Sequence, residues 1–126
     1  MSLNILAVDD SRTIRDMLSL ALSRAGFVTS LAEDGEHGLE VLGNICPDVI
    51  ITDINMPRLD GFGFIEAVRR QKAYRATPIL VLTTESAPEL KARARAAGAT
   101  GWIVKPFDPA KLIRALHMVA GPGVSA

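Results

Sequence analysis

Three carboxylates, one hydroxyl and one ammonium stand immediately after, or at the end of, short apolar runs in this sequence. Asp9-Asp10 follow Ile5–Val8, Asp53 follows Val49–Thr52, Thr83 follows Ile79–Leu82, and Lys105 follows Gly101–Val104. If those runs lie side by side, Asp9, Asp10, Asp53, Thr83 and Lys105 meet. Carboxylates held together repel one another, and a divalent cation relieves that repulsion. Oxygen donors without His or Cys favour a hard ion, Mg²⁺ or alternatively Mn²⁺. Mg²⁺ takes few carboxylates, keeps waters and accepts phosphate oxygens. Lys105 then offers a compact positive charge to a second phosphate oxygen, and Thr83 a hydroxyl to a third. One carboxylate, Asp53, remains as nucleophile for an aspartyl phosphate. Such chemistry rests on positioning and charge neutralisation.

The elements that would position these groups are legible in the apolar pattern. Five runs, the four above and Phe27–Leu31, are aliphatic or β-branched and bounded by Gly, Pro, Asp or Asn. Three are almost continuously apolar, as strands buried on both faces are. Between them the period is helical. Ile14, Met17, Leu18, Ala21, Leu22 and Ala25 form one stripe, capped by Ser11 and stopped by Gly26. Leu39 and Leu42 mark a second helix after Asp34-Gly35. Phe64, Ile65 and Val68 mark a third, with Gly61 and Gly63 at its start, and Leu90, Ala94 and Ala97 a fourth. Leu112, Ile113, Leu116, Val119 and Ala120 mark a fifth, opened by Asp108-Pro109. Strict alternation predicts an α/β fold with a parallel sheet and right-handed crossovers. The carboxyl ends of the strands then share one edge, where ligands bind. The second strand ends in Ala32-Glu33-Asp34-Gly35, an ordinary helix entry.

Composition narrows the class. The 126 residues are 48% hydrophobic and 22% charged, with 14 basic and 14 acidic side chains and no net charge. A phosphate-backbone partner needs a basic excess, so no nucleic acid is expected. There is neither a signal-type leader nor a membrane-length apolar run, so a cytoplasmic chain with no membrane partner is expected. Cys46 is the only cysteine and reads as a small buried hydrophobe in a reducing compartment. Met17 and Met118 read as core or rim packing. His37 and His117 lie off the apolar stripes and read as solvated. Lys91, Arg93 and Arg95, and the group Arg69, Arg70, Lys72 and Arg75, read as solvated faces.

Asp9-Asp10, Asp53 followed by Ile54-Asn55-Met56-Pro57, Thr83, and Lys105-Pro106-Phe107 together resemble the response-regulator receiver family across essentially the whole chain. The resemblance implies a flavodoxin-like (CheY-like) fold. That is a doubly wound five-stranded parallel sheet of order 2-1-3-4-5 with five helices. It implies a receiver domain over 1–120 and a short tail over 121–126. Asp53 is then the phosphoacceptor, and Asp9, Asp10, Asp53 and the main-chain carbonyl of Asn55 hold Mg²⁺. Thr83 and Lys105 contact the phosphoryl group, and a cis bond joins Lys105 to Pro106.

The same resemblance makes Trp102 an aromatic switch residue, moving inward as Thr83 is drawn to the phosphate. The face formed by the fourth helix, fifth strand and fifth helix then changes. Asn55 and Glu85, placed as in chemotaxis-type receivers, reach the attacking water and set phosphate lifetime. The implied protein is a phosphoacceptor for a histidine kinase rather than an enzyme, though it assists its own phosphorylation and dephosphorylation. It is expected to be monomeric, with a target at the flagellar motor switch. A phosphorelay intermediate or phosphate sink serving a histidine phosphotransfer protein would carry the same site. A haloacid-dehalogenase-like phosphatase fits poorly, because its nucleophile follows the first strand in an Asp-x-Asp arrangement. Taken singly, each motif has a plainer reading. Asp9-Asp10 could start a helix, Asp53 end a strand, Lys105-Pro106 form a surface turn, and Trp102 half-bury on an edge strand.

Overall fold

Strands β1 (Asn4–Val8), β2 (Val28–Ala32), β3 (Val49–Thr52), β4 (Ile79–Thr83) and β5 (Gly101–Val104) alternate along the chain with five helices. These are α1 (Arg12–Arg24), α2 (Gly35–Leu42), α3 (Gly61–Arg70), α4 (Pro88–Ala97) and α5 (Pro109–Ala120), and a 3₁₀ turn, Lys72–Tyr74, precedes β4. The computed structural model describes residues 3–120, so the expected tail over 121–126 lies outside the described residues. All strand pairs are parallel and the order is β2-β1-β3-β4-β5, as expected. The strands begin or end within one residue of the apolar runs.

Alternation of side chains divides the core into two layers. Leu6, Val8, Ile50, Ile79 and Val81 face Leu42, Phe64, Ile65 and Val68 of α2 and α3. Ile5, Ala7, Val49, Ile51, Leu80 and Leu82 face Leu18 and Leu22 of α1 and Leu112 and Leu116 of α5. β1, β3 and β4 are therefore apolar on both faces, and each fully buried Leu or Phe contributes about 1.5–3 kcal/mol. Among the described residues, no helix is long and apolar enough to cross a membrane.

Helix α4 is held differently. Ala94 is its one fully buried residue, with Leu90 half-buried. Two arginines tie it to α3 instead. The Arg93 guanidinium lies 3.9 Å above the Phe62 ring. Arg69 donates to the carbonyls of Gly98 (Nε, 3.0 Å; Nη2, 2.8 Å), Tyr74 (2.7 Å) and Thr77 (2.6 Å). Burial holds its pKa below the ordinary value. Arg69 is thus a clamp between elements, not part of a solvated face, because its long stem carries the charge to carbonyls that have no strand partner.

Other expectations are corrected in the same way. Cys46 is exposed, since it lies in the loop between α2 and β3 rather than on an apolar face. Met17 is exposed because it stands about 100° around α1 from Leu18, at the margin of the stripe. Met118 is 80% exposed, on the outer side of α5. His37 is half-buried rather than solvated, and its Nδ1 accepts from the Glu33 N–H at 3.1 Å. His117, by contrast, is exposed as expected, its ring 5.3 Å from that of Phe27.

The entry to α2 carries an ion pair that a plain helix start does not need. Asp34 caps the helix by accepting from the His37 N–H at 2.8 Å, and its other oxygen accepts from Arg58 Nε at 2.8 Å. Burial opposes the Asp34 charge, but the His37 N–H and Arg58 outweigh it and hold the carboxyl below its ordinary 3.8. A lowered folded-state value gives stability that is present above the unfolded pKa and lost as pH falls through the folded one. Asp34→Asn keeps a capping side chain but removes the charge. The urea midpoint of the wild type should exceed that of Asp34→Asn at neutral pH. The gap should close as pH falls below 3.8. A gap independent of pH would show that the charge contributes nothing.

Candidate functional site

Strand register assembles the site. Val8 pairs with Thr52, so the next residues, Asp9 and Asp53, emerge side by side. Thr83 pairs with Val104 across β4 and β5, which brings Lys105 to the same edge, its N–H donating to the Thr83 carbonyl at 2.8 Å. Residues that sequence placed at separate strand ends therefore share one cleft. The Lys105–Pro106 bond is cis, as the resemblance implied.

Asp9 and Asp53 are buried, whereas Asp10 is exposed at the rim. Lys105 Nζ bridges the buried pair, 2.7 Å from Asp9 Oδ2 and 2.8 Å from Asp53 Oδ2. The remaining oxygens are also engaged. The Ser11 N–H donates to Asp9 Oδ1 at 2.9 Å, and the Ile54 N–H to Asp53 Oδ1 at 2.6 Å. Arg15 Nη1 donates to the main-chain carbonyl of Asp9 at 2.8 Å, a contact without a sequence signal. Gly61 stands at the start of α3 against Asp53, and any Cβ there would collide with the Asp53 carbonyl.

The charges do not balance within the protein. Burial pushes the Asp9 carboxyl above its ordinary value, and the Asp53 charge adds to that push, with Lys105 and the Ser11 N–H opposing it. Burial also opposes the Lys105 charge, but hydrogen bonds to Asp53 and Asp9 outweigh it and hold the ammonium above its ordinary pKa. Lys105 therefore remains a cation at neutral pH. Among the described residues, one ammonium still faces three carboxylates, whose oxygens lie within 4.8 Å of one another. An all-oxygen donor set with surplus negative charge fits a hard divalent cation.

A second group adjoins the first. Thr83 is fully buried, and its Oγ1 accepts from the Glu85 N–H at 3.4 Å. Asn55 Nδ2 donates to Glu85 Oε1 at 3.3 Å, so the two residues that the sequence analysis paired are in contact. Trp102 is half-buried on the edge strand β5, and its Nε1 donates to the Glu85 carbonyl at 3.0 Å. Sequence reasoning named Glu85 and Trp102 separately and missed the bond between them.

Comparison with known proteins agrees with this arrangement. The family model for the response regulator receiver domain matches residues 5–117. Chemotaxis protein CheY1 of Helicobacter pylori is 37% identical over 123 residues, covering 94% of this chain and 98% of the relative. The structure of the chemotaxis response regulator CheY4 of Vibrio cholerae aligns with a TM-score of 0.90 at 49% identity, over 94% of this chain and 99% of that one. The receiver domain of a sensor histidine kinase from Pseudomonas aeruginosa aligns with a TM-score of 0.89 at 27% identity, over 96% of this chain and 99% of that one. That structure has a magnesium ion coordinated in its active-site cleft.

A raised carboxyl pKa gives stability that is present below the unfolded value of 3.8 and lost as pH rises through the folded one. Ionised Asp9 therefore destabilises the metal-free fold at neutral pH, and Asp9→Asn should raise its melting temperature. Mg²⁺ should reverse the order, stabilising the wild type by about 2.7 kcal/mol at a hundredfold excess over Kd and the variant far less. Equal stabilisation of both proteins by Mg²⁺ would remove Asp9 from the cation site.

Proposed function

The chain belongs to the response regulator receiver domain family, and from that premise we propose that it is a single-domain response regulator. It accepts a phosphoryl group on Asp53 from a histidine kinase and passes the signal to a protein target. The observation that supports this reading best is the Lys105 ammonium, seated between Asp9 and Asp53 beside the rim carboxylate Asp10.

The chemistry follows from these residues. An Asp53 carboxylate oxygen attacks phosphorus, the P–N bond of a phosphohistidine donor breaks, and the departing imidazole nitrogen takes up a proton. Asp9, Asp10, Asp53 and the main-chain carbonyl of Asn55 would hold Mg²⁺, which supplies charge neutralisation for the phosphoryl oxygens. Lys105 turns from the carboxylates to one phosphoryl oxygen, and the Thr83 hydroxyl donates to another. Hydrolysis reverses the modification. Water attacks phosphorus, the Asp53 O–P bond breaks, and inorganic phosphate leaves. Asn55 and Glu85, joined at the cleft mouth, govern the approach of that water.

Output follows from the second group. Movement of Thr83 toward the phosphate displaces Glu85, which donates its N–H to Thr83 and whose carbonyl holds the Trp102 indole. The face of α4, β5 and α5 then changes. α4 yields readily, because only the small Ala94 is fully buried, with Leu90 and Ala97 partly so, and arginine contacts supply the rest of its hold. The chemotaxis names of close relatives support a target at the flagellar motor switch. The reading is of a monomeric, cytoplasmic phosphoacceptor rather than a turnover enzyme, without a nucleic-acid or membrane partner.

With a small phosphodonor and Mg²⁺, the wild type should incorporate base- and hydroxylamine-labile phosphate and Asp53→Asn should incorporate none. Equal incorporation would refute the acceptor assignment. Phosphate that leaves to a protein histidine rather than to water would favour a relay intermediate. Trp102, the single tryptophan, should change its fluorescence when Mg²⁺ and a phosphoryl analogue bind together. An unchanged spectrum with binding shown by calorimetry would remove Trp102 from the switch.

A further inference from the structure

Between Asp53 and α3 the chain makes a turn that its own backbone does not favour. Arg58 has φ of +66°, and the Leu59 N–H donates across it to the Pro57 carbonyl at 2.8 Å. A hydrogen bond from residue i+2 to i around a positive φ makes a strained γ-turn. The left-handed region disfavours a side chain as bulky as arginine's. Such strain persists only where the surroundings over-determine the conformation.

The surroundings that do so belong to α2. Arg58 Nε donates to Asp34 Oδ2 at 2.8 Å, Nη2 lies 2.8 Å from the same oxygen, and Nε lies 3.5 Å from Glu36 Oε2. The Asp34 side chain is 4% exposed, whereas that of Arg58 is 52% exposed. One anchor is therefore fixed in the protein and the other reaches it from the surface. Two more contacts close the join. The Gly35 N–H donates to the Leu59 carbonyl at 3.1 Å, and a Cβ on Gly35 would collide with Leu59. At the far end of the turn, the Gly61 N–H donates to the Ile54 carbonyl at 2.8 Å. The segment from Ile54 to Gly61 is thus closed on itself and stapled to α2, with Asn55 inside it.

We propose that Arg58 is a positioning residue, tethering the loop that carries Asn55 to the buried carboxylate of Asp34 and so presetting the cation site. This rests on the reading of Asp9, Asp10, Asp53 and the Asn55 carbonyl as that site. Arg58 touches none of these groups. It acts by fixing the backbone on which the Asn55 carbonyl rides, which otherwise must be ordered when the ion binds.

The test separates this role from plain stability. Arg58→Gly removes the tether and also relieves the positive φ, so its thermal midpoint should stay near that of the wild type. Its Mg²⁺ affinity, measured by titration calorimetry, should fall about tenfold, as for other groups that act through a ligand. Asp34→Asn should weaken Mg²⁺ similarly, and the double variant no further. Amide exchange at Leu59 should quicken in both single variants without any metal. Unchanged Mg²⁺ affinity and exchange in Arg58→Gly would overturn the proposal, as would a double variant that loses the sum of the single effects. A wild type that binds Mg²⁺ yet takes no phosphate on Asp53 would instead refute the proposed function and leave the tether judged by affinity and exchange.

Discussion

The arrangement depends on one electrostatic constraint. Asp9, Asp10 and Asp53 are brought within bonding reach of a common point, and among the described residues the one ammonium in contact with the buried pair is that of Lys105. A protein built for stability alone would not bury two carboxylates side by side, since ionised groups out of water must be paired to be tolerated. The rest of the architecture makes that arrangement tenable. The sheet supplies neighbouring strand ends, the β5 terminus supplies the cation, and main-chain N–H groups of Ser11 and Ile54 occupy the other oxygens. What remains unneutralised is the property a cation and a phosphoryl group would use.

The molecule is correspondingly uneven. Its centre, β1, β3 and β4, is apolar on both faces and close-packed against α1, α2, α3 and α5. Helix α4 buries little beyond Ala94, and directional contacts from Arg69 and Arg93 supplement that small area. Such contacts exchange for water at little net change in free energy, whereas burying Leu or Phe does not. Rigidity therefore sits where the carboxylates must be aimed, and latitude sits on the face proposed to change.

Sequence carried the central features because they follow from local rules. Continuous apolar runs gave β1, β3 and β4, Ser11 and Asp34 gave helix starts, and four strand ends gave the cleft. What escaped was set by pairing across distance. Nothing near Arg69 in the chain announces the carbonyl of Gly98, and α2 and β3 lie between Asp34 and Arg58. Met17 and Cys46 misled for a simpler reason. Residue type favours burial, but the angle around α1 and the course of a loop decide it.

Glu85 shows how two properties can be kept apart within one residue. Its carboxylate meets Asn55, while its main-chain carbonyl meets the Trp102 indole. The first contact depends on which amino acid occupies the position; the second does not, because every amino acid brings the same carbonyl. On the proposed reading, variation at this codon would lengthen or shorten a message without rewriting how the message is read. A lineage could retune the tempo of its signalling one substitution at a time and keep the same listener.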